Sequence, residues 1–264
     1  MRYQFVTPSP ILAPYIKHYW MLETEAHEGN VSERVVPTGN PQLMFHYRNP
    51  FTMQFPDQQV RQQARSFISG VSSRYMDAIT QGPSGVIAVD FYPYGACNFF
   101  RFSQNELEDQ SIHLEDIFSG PVKDLEEQIC ECSNLSDRIS LIENFLIEKL
   151  KPVNQYDLLL VRQAVEEVEQ SGGQIHANQL AAKLAVTPKN LERKFASMIG
   201  KSPKQFIRIM RFQEVMNGLL GQQPGYLTEY ALNNGYFDQS HFIHEFKSFS
   251  GYTPREFVKR CPCK

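Results

Sequence analysis

The segment from Leu180 to Ile207, LAAKLAVTPKNLERKFASMIGKSPKQFI, recurs in outline from Tyr230 to Val258 as YALNNGYFDQSHFIHEFKSFSGYTPREFV. Leu191 matches Phe242, Phe195 matches Phe246, Gly200 matches Gly251, Pro203 matches Pro254 and Phe206 matches Phe257, every pair 51 positions apart. Upstream, Ala181 matches Ala231 and Ala185 matches Gly235, now 50 apart, so one residue is added near Phe237. An internal repeat constrains the fold because both copies must form the same supersecondary unit. Here the small Ala181 and Ala231 let a second helix cross closely above the first. Ala185 and Gly235 fall four residues on, where the chain must turn sharply and where glycine takes positive φ at little cost. Thr187 and Asp238 suit the N-cap of the next helix, and Pro188 suits its first position. Helix, tight turn, helix describes a helix-turn-helix, present twice. Between the copies, SPKQFIRIMRFQEVMNGLL is long enough for a linking helix, and its Phe206, Ile209, Met210 and Val215 are spread to pack on both halves.

Upstream the pattern is different. PQLMFHY, RSFISGVSS, RYMDAIT and GVIAVDFYPYG are short runs with β-branched and aromatic residues, divided by PTGNP, RNPF and QGPSG. Such runs predict strands and turns, and several together predict a β-barrel or a cupin-like sandwich. In LSDRISLIENFLIEKL, Ile139, Ile142, Leu146 and Leu150 recur at helical spacing behind a candidate cap at Ser136. The stripe suits a partner helix or the chain's own barrel. Lys151-Pro152 ends the run, which places a linker at 150–156. Beyond it, QYDLLLVRQAVEEVEQSGG carries Leu158, Val161, Val165 and Val168 on one stripe and stops at Gly172-Gly173. The expected class is α+β, with an N-terminal regulatory or dimerisation domain over 1–152 and an all-α domain over 153–264. A length of 264 residues suits two domains at about 150 residues each.

Charge separates the halves as well. Val153 to Lys264 carries 14 Lys and Arg against 10 Asp and Glu, a net of +4; Met1 to Pro152 carries 12 against 19, a net of −7. A basic segment beside an acidic one points to a polyanion partner for the former. No apolar run approaches the ~18 residues of a membrane span, and MRYQFVTPSPILAPYIKHYW lacks the basic-then-apolar order of a secretion signal. Five cysteines, an odd number without regular spacing, fit a reducing, cytoplasmic setting.

HFIHEF, at His241 to Phe246, looks like metal-ligand material. It lacks the HExxH order, and no third ligand is implied. Phe242, Phe246 and Phe249 instead form the buried stripe of a helix. Cys130 with Cys132, and Cys261 with Cys263, lack the two-residue spacer of a zinc site. No metal and no cofactor is expected.

The C-terminal ~110 residues resemble the DNA-binding domain of the AraC/XylS family of bacterial transcription regulators. GYFDQSHFIHEFKSFSGYTPREF is close to that family's second signature, and LERKF, GKSPKQFI and RF resemble the first. LAPYIKHYWMLE, ERVVPTGNPQLMF and FYPYGACNFFRF resemble a regulatory domain attached to one branch of the family. The resemblance implies a sequence-specific transcription factor that places the start of each recognition helix in a major groove, where base edges are distinguishable. It puts Lys189, Glu192 and Arg193 on bases in the first motif. In the second it puts Gln239, Ser240, Ile243 and His244 there, with His244 where many members carry arginine. Candidate phosphate contacts are Asn190, Lys194, Lys201, Arg208 and Lys247, and Arg208 and Arg211 are alternatively braces of the linking helix. A rigid linking helix would hold the two readers about 34 Å apart, one DNA turn.

For the N-terminal half, Trp20, Phe91, Tyr92 and Tyr94 are candidate walls of an effector pocket, with His46 and Arg48 as polar handles; the competing reading is that they fill a core. The expected partners are double-stranded DNA, a small-molecule effector, RNA polymerase and a second copy of the chain. Two alternatives stay open: a dimerising DNA-binding protein without an effector, and a DNA-repair methyltransferase with Cys97 as its reactive thiol.

Overall fold

The computed structural model describes residues 1–80, 82–219 and 232–260. Among them the aromatic and β-branched runs form ten strands in two sheets. The larger sheet contains β1 (Arg2–Val6), β2 (Ile16–Thr24), β4 (Gln42–His46), β7 (Ser66–Ser69), β9 (Ser84–Phe91) and β10 (Ser111–His113), in the order β1-β2-β9-β4-β7-β10. The smaller contains β3 (Ser32–Val35), β5 (Thr52–Gln54), β6 (Val60–Gln62) and β8 (Met76–Ile79), in the order β3-β8-β5-β6. Paired strands are antiparallel throughout. The sheets share no strand and each keeps two edges, so of the two expected architectures the sandwich is realised and the barrel does not close.

Side chains alternate across a strand, and the larger sheet uses both faces. Trp20, Leu22, Met44 and Val86 meet Met53 and Met76 of the smaller sheet and Phe55 just beyond β5. Tyr19, Met21, Phe45, Ile87 and Val89 face the other way, onto helices. Central β9 is therefore buried along all eight residues, as expected of a strand covered on both sides.

The covering helices are α1 (Leu114–Ile117), α2 (Pro121–Glu131) and α3 (Leu135–Lys149). The α3 cap is Asn134, whose side chain accepts from the Asp137 amide at 2.9 Å, and not Ser136, which lies inside the helix. Ile139, Ile142 and Leu146 are buried against the chain's own sheet, which settles the choice left open for that stripe. After residues 150–154, which are neither helix nor strand, Asn154 caps α4 (Gln155–Gln170). Then come α5 (Ala177–Lys183), α6 (Pro188–Met198), α7 (Pro203–Leu219), α8 (Gln239–Ser250) and α9 (Pro254–Arg260). Tyr230, Ala231, Cys261 and Cys263 lie outside the described residues.

One apolar core runs through both copies of the repeat. Phe195 of α6 packs on Phe206 of α7 with ring centroids 5.9 Å apart, while Phe212 of α7 packs on Phe246 and Phe249 of α8 at 5.2 and 5.1 Å. The linking helix thus belongs to both halves, as its apolar spread predicts.

Candidate nucleic-acid interface

Both recognition helices begin as the repeat predicts. The backbone is left-handed at Ala185 (φ 54°) and at Gly235 (φ 77°). The Thr187 hydroxyl accepts from the Asn190 amide at 3.2 Å, and the Asp238 carboxylate accepts from the His241 amide at 2.7 Å. Pro188 occupies the first turn of α6. Each cap satisfies an otherwise orphaned amide, and each fixes where the exposed first turn points.

Lys189, Glu192 and Arg193 on α6, and Gln239, Ser240 and His244 on α8, are exposed; Ile243 is half-buried against the core. Arg193 donates to Asn190 Oδ1 at 3.0 Å, which orders the guanidinium along the helix face. On α8, Phe242, Phe246 and Phe249 are buried as the stripe requires. Among the described residues no group of His, Cys, Asp and Glu is placed to hold a metal ion.

The five candidate phosphate contacts separate. Lys247 is exposed and Asn190 half-exposed. Lys194, largely buried, pairs with Asp157 of α4. Arg208 donates to Glu245 at 2.7 Å and Arg211 to the same carboxylate at 2.9 Å, so the bracing alternative describes them. Lys201 is a correction. Its side chain has no exposed surface, and its ammonium lies 3.1 Å from both Glu108 and Asp109, where phosphate has no access.

Glu245 carries most of this geometry; the sequence offers it only as part of the metal-ligand look of HFIHEF, although its position three residues after Phe242 and one before Phe246 puts it beside the apolar stripe. Burial alone would raise its carboxyl; the hydrogen bonds from Arg211 and Arg208 outweigh that and hold it below the usual glutamate value. Lys194 and Glu245 are repeat equivalents, 51 apart. Each ties its recognition helix to the long helix preceding that motif, α6 to α4 and α8 to α7, with the charges reversed.

The candidate effector residues do not converge on one pocket. Trp20 and His46 lie between the sheets, and His46 bonds Gln63 at 2.9 Å and packs edge-on to Phe51. Burial lowers its pKa to about 4. Arg48 is outside, paired with Glu25 at 3.1 Å, and Phe91 is fully buried on the helix-facing side. Only Tyr92 and Tyr94 line a cleft. Their rings stack at 5.7 Å over a space of ≈ 240 Å³ between the sandwich and α4, with Arg162, Glu166 and Glu169 opposite. A wider groove of ≈ 580 Å³ opens beside the linker, among Asn98, Arg101, Lys151, Val153, Asp157 and Met198.

Two family models match the chain. Residues 180–260 match a helix-turn-helix domain, and residues 4–113 match a domain of unknown function, DUF6597. The C-terminal part of the chain thus carries a helix-turn-helix domain. A probable thc operon regulatory protein of Rhodococcus erythropolis is 28% identical over 106 residues, 39% of this chain; the match spans about a third of that relative's length, 32%. The structure of ToxT from Vibrio cholerae superposes with a TM-score of 0.50 over 92% of this chain and 98% of the other, at 9% identity, a likeness of fold alone. The C-terminal domain of AraT, a response regulator from Geobacillus stearothermophilus, is 25% identical over 38% of this chain and 84% of its own, with a TM-score of 0.35. Among the described residues no helix is long and apolar enough to cross a membrane.

Proposed function

We propose that this protein is an AraC-family, sequence-specific DNA-binding transcription regulator, not an enzyme, that reads two adjacent major grooves. The observation that carries the reading is the pair of capped recognition turns, at Thr187 and Asp238, exposed at their tips and built on one shared core. Lys189, Glu192 and Arg193, with Gln239, Ser240, Ile243 and His244, are the proposed base-facing set. Arg193 suits guanine bidentately and Glu192 suits the cytosine amino group. Asn190 and Lys247 are the proposed phosphate contacts. The domain division we propose is 1–152 and 153–264, with regulation in the first part.

The methyltransferase alternative loses its nucleophile. Cys97 is buried, its thiol faces the Tyr94 carbonyl at 3.2 Å, and burial raises its pKa to about 12, so thiolate is scarce at neutral pH.

An effector, in this reading, enters at the domain junction beside Tyr92 and Tyr94 or along the linker groove, not inside the sandwich. For a homodimer, the proposed surface is β1, one of the edge strands among the described residues, with its exposed Tyr3 and Phe5. RNA polymerase belongs to the same proposal as the partner of a DNA-bound activator.

The test is Arg193→Ala in gel-shift titrations against a selected site and against random-sequence DNA. Loss of a bidentate base contact weakens the selected site by about 1–3 kcal/mol and random DNA far less. Equal losses on both would reject the base-reading role.

A further inference from the structure

Gly200-Lys201 and Gly251-Tyr252 are equivalent under the 51-residue offset. Each pair forms the turn that closes a recognition helix, with left-handed glycine at φ 84° after α6 and 76° after α8. Nothing in the internal repeat requires these two turns to meet the N-terminal domain. Both do.

At the first turn, a Cβ on Gly200 would lie 2.5 Å from the Gln104 carbonyl oxygen, so the sandwich domain's backbone rests directly on the glycine. Lys201 is buried between Glu108 and Asp109, and Gln205 donates to Glu108 at 3.0 Å. Asp109 is itself held in left-handed backbone, φ 52°, and accepts from the Ser73 amide at 2.5 Å. At the second turn, a Cβ on Gly251 would lie 2.5 Å from the Arg34 guanidinium and 2.7 Å from the Tyr75 ring. Arg34 is fixed by two 2.8 Å bonds to Asp77. It lies over Tyr75 at 4.4 Å and over Tyr252 at 4.2 Å, and it donates to the Ser250 carbonyl at 3.2 Å. A third contact sits between them on α7, where Gln213 donates to the Pro37 carbonyl and Gly39 abuts Met210.

Resting on the DNA-reading proposed above, we infer that Arg34 and the Glu108–Asp109 pair are positioning residues. Through them the N-terminal domain holds the two recognition helices by equivalent C-terminal turns and sets their separation and mutual orientation. Two grips of different chemistry, an ammonium between carboxylates and a guanidinium between phenol rings, act on the same place in each copy. The apolar core through α7 joins the helices but is one shared helix; the two grips add a second, parallel connection through the sandwich. Anything that alters the domain junction then changes the geometry offered to DNA rather than the recognition residues themselves.

The test uses the full chain with spin labels carried on non-natural side chains at Lys189 and Gln239, the exposed first turns. Arg34→Gln and the isosteric pair Glu108→Gln with Asp109→Asn are compared with the parent, and Arg34→Lys serves as the conservative control. Because the two altered sites lie at different turns, a folding failure in one leaves the other to decide. The parent gives one narrow distance distribution; each variant broadens or shifts it at unchanged circular dichroism, and Arg34→Lys restores part of the sharpness. Binding to paired half-sites moved apart one base pair at a time follows: the parent prefers one spacing by about tenfold, and the variants flatten that preference to less than about threefold, a change within the range of ordinary intramolecular coupling. Unchanged distance distributions in both variants would overturn the inference. Distances broadened in the variants of a parent that binds no DNA specifically would leave the positioning intact and reject the DNA-reading instead.

Discussion

Glu245 is where the energetics of the helix-turn-helix part concentrate. It is 2% exposed and holds Arg208 and Arg211 against α8. Removing one partner of a buried ion pair strands the other charges, so Glu245→Ala is expected to cost about 3 kcal/mol in urea denaturation. The pH dependence has a definite sign. A carboxyl held below its usual value contributes stability that is present above the ordinary glutamate range and is lost as pH falls through the folded value. The stability gap between the parent and Glu245→Gln therefore narrows as the solution is acidified through and below about pH 4.5, the ordinary glutamate value. His46 acts at higher pH. With its pKa lowered to about 4, it stays neutral in the fold and takes up a proton on unfolding, so its contribution fades as pH falls from 6.5 toward 4. A gap between the parent and Glu245→Gln that stays constant down to pH 3 would contradict the ion-pair account.

At the scale of elements, the caps and hinges of the repeat were legible because they depend on residues within four positions of each other. Thr187, Asp238, Ala185 and Gly235 all behave as local chemistry dictates. Their equivalence makes a paired prediction. Gly235→Ala forces a side chain into left-handed backbone and is expected to destabilise by about 1 kcal/mol, whereas Ala185→Gly relieves the same strain and is expected to be neutral or slightly stabilising. Asp238→Ala removes a cap and costs about 1 kcal/mol. Thermal melts of the three variants check the signs, and destabilisation by Ala185→Gly as large as that by Gly235→Ala would contradict them. The α3 cap shows the limit of local reading. Asn134 and Ser136 are both capping types, and the choice falls to Asn134, whose carbonyl reaches the Asp137 amide while Leu135 enters the helix.

For the whole molecule, the two-part organisation was written in the change from strand runs to helical stripes and in the change of charge sign. What the sequence could not convey is how the parts meet. Lys201 reads as a surface cation in GKSPKQF, yet its partners lie 92 and 93 residues away, and no periodicity links them. The same holds for Arg34 and Ser250, 216 positions apart. The candidate effector residues read as walls of one pocket; a sandwich filled between its sheets by Leu22, Phe51, Met53 and Val86 leaves Tyr92 and Tyr94 at the junction instead. Loss of Lys201 and Lys194 from the exposed cations also lowers the number of phosphates the protein can neutralise. With each phosphate contributing about −0.9 to the slope of log affinity against log salt, Lys247→Ala is expected to reduce that slope by about one, measured by titration at several salt concentrations.

The central claim is that two recognition helices read one stretch of duplex together, and selection of bound sites from random DNA by the full chain tests it most directly. The expected result is a bipartite site whose two halves are centred about 10 base pairs apart, with enrichment at one half lost in Arg193→Ala and at the other in His244→Ala. A single undivided site, or enrichment that neither substitution alters, would contradict it.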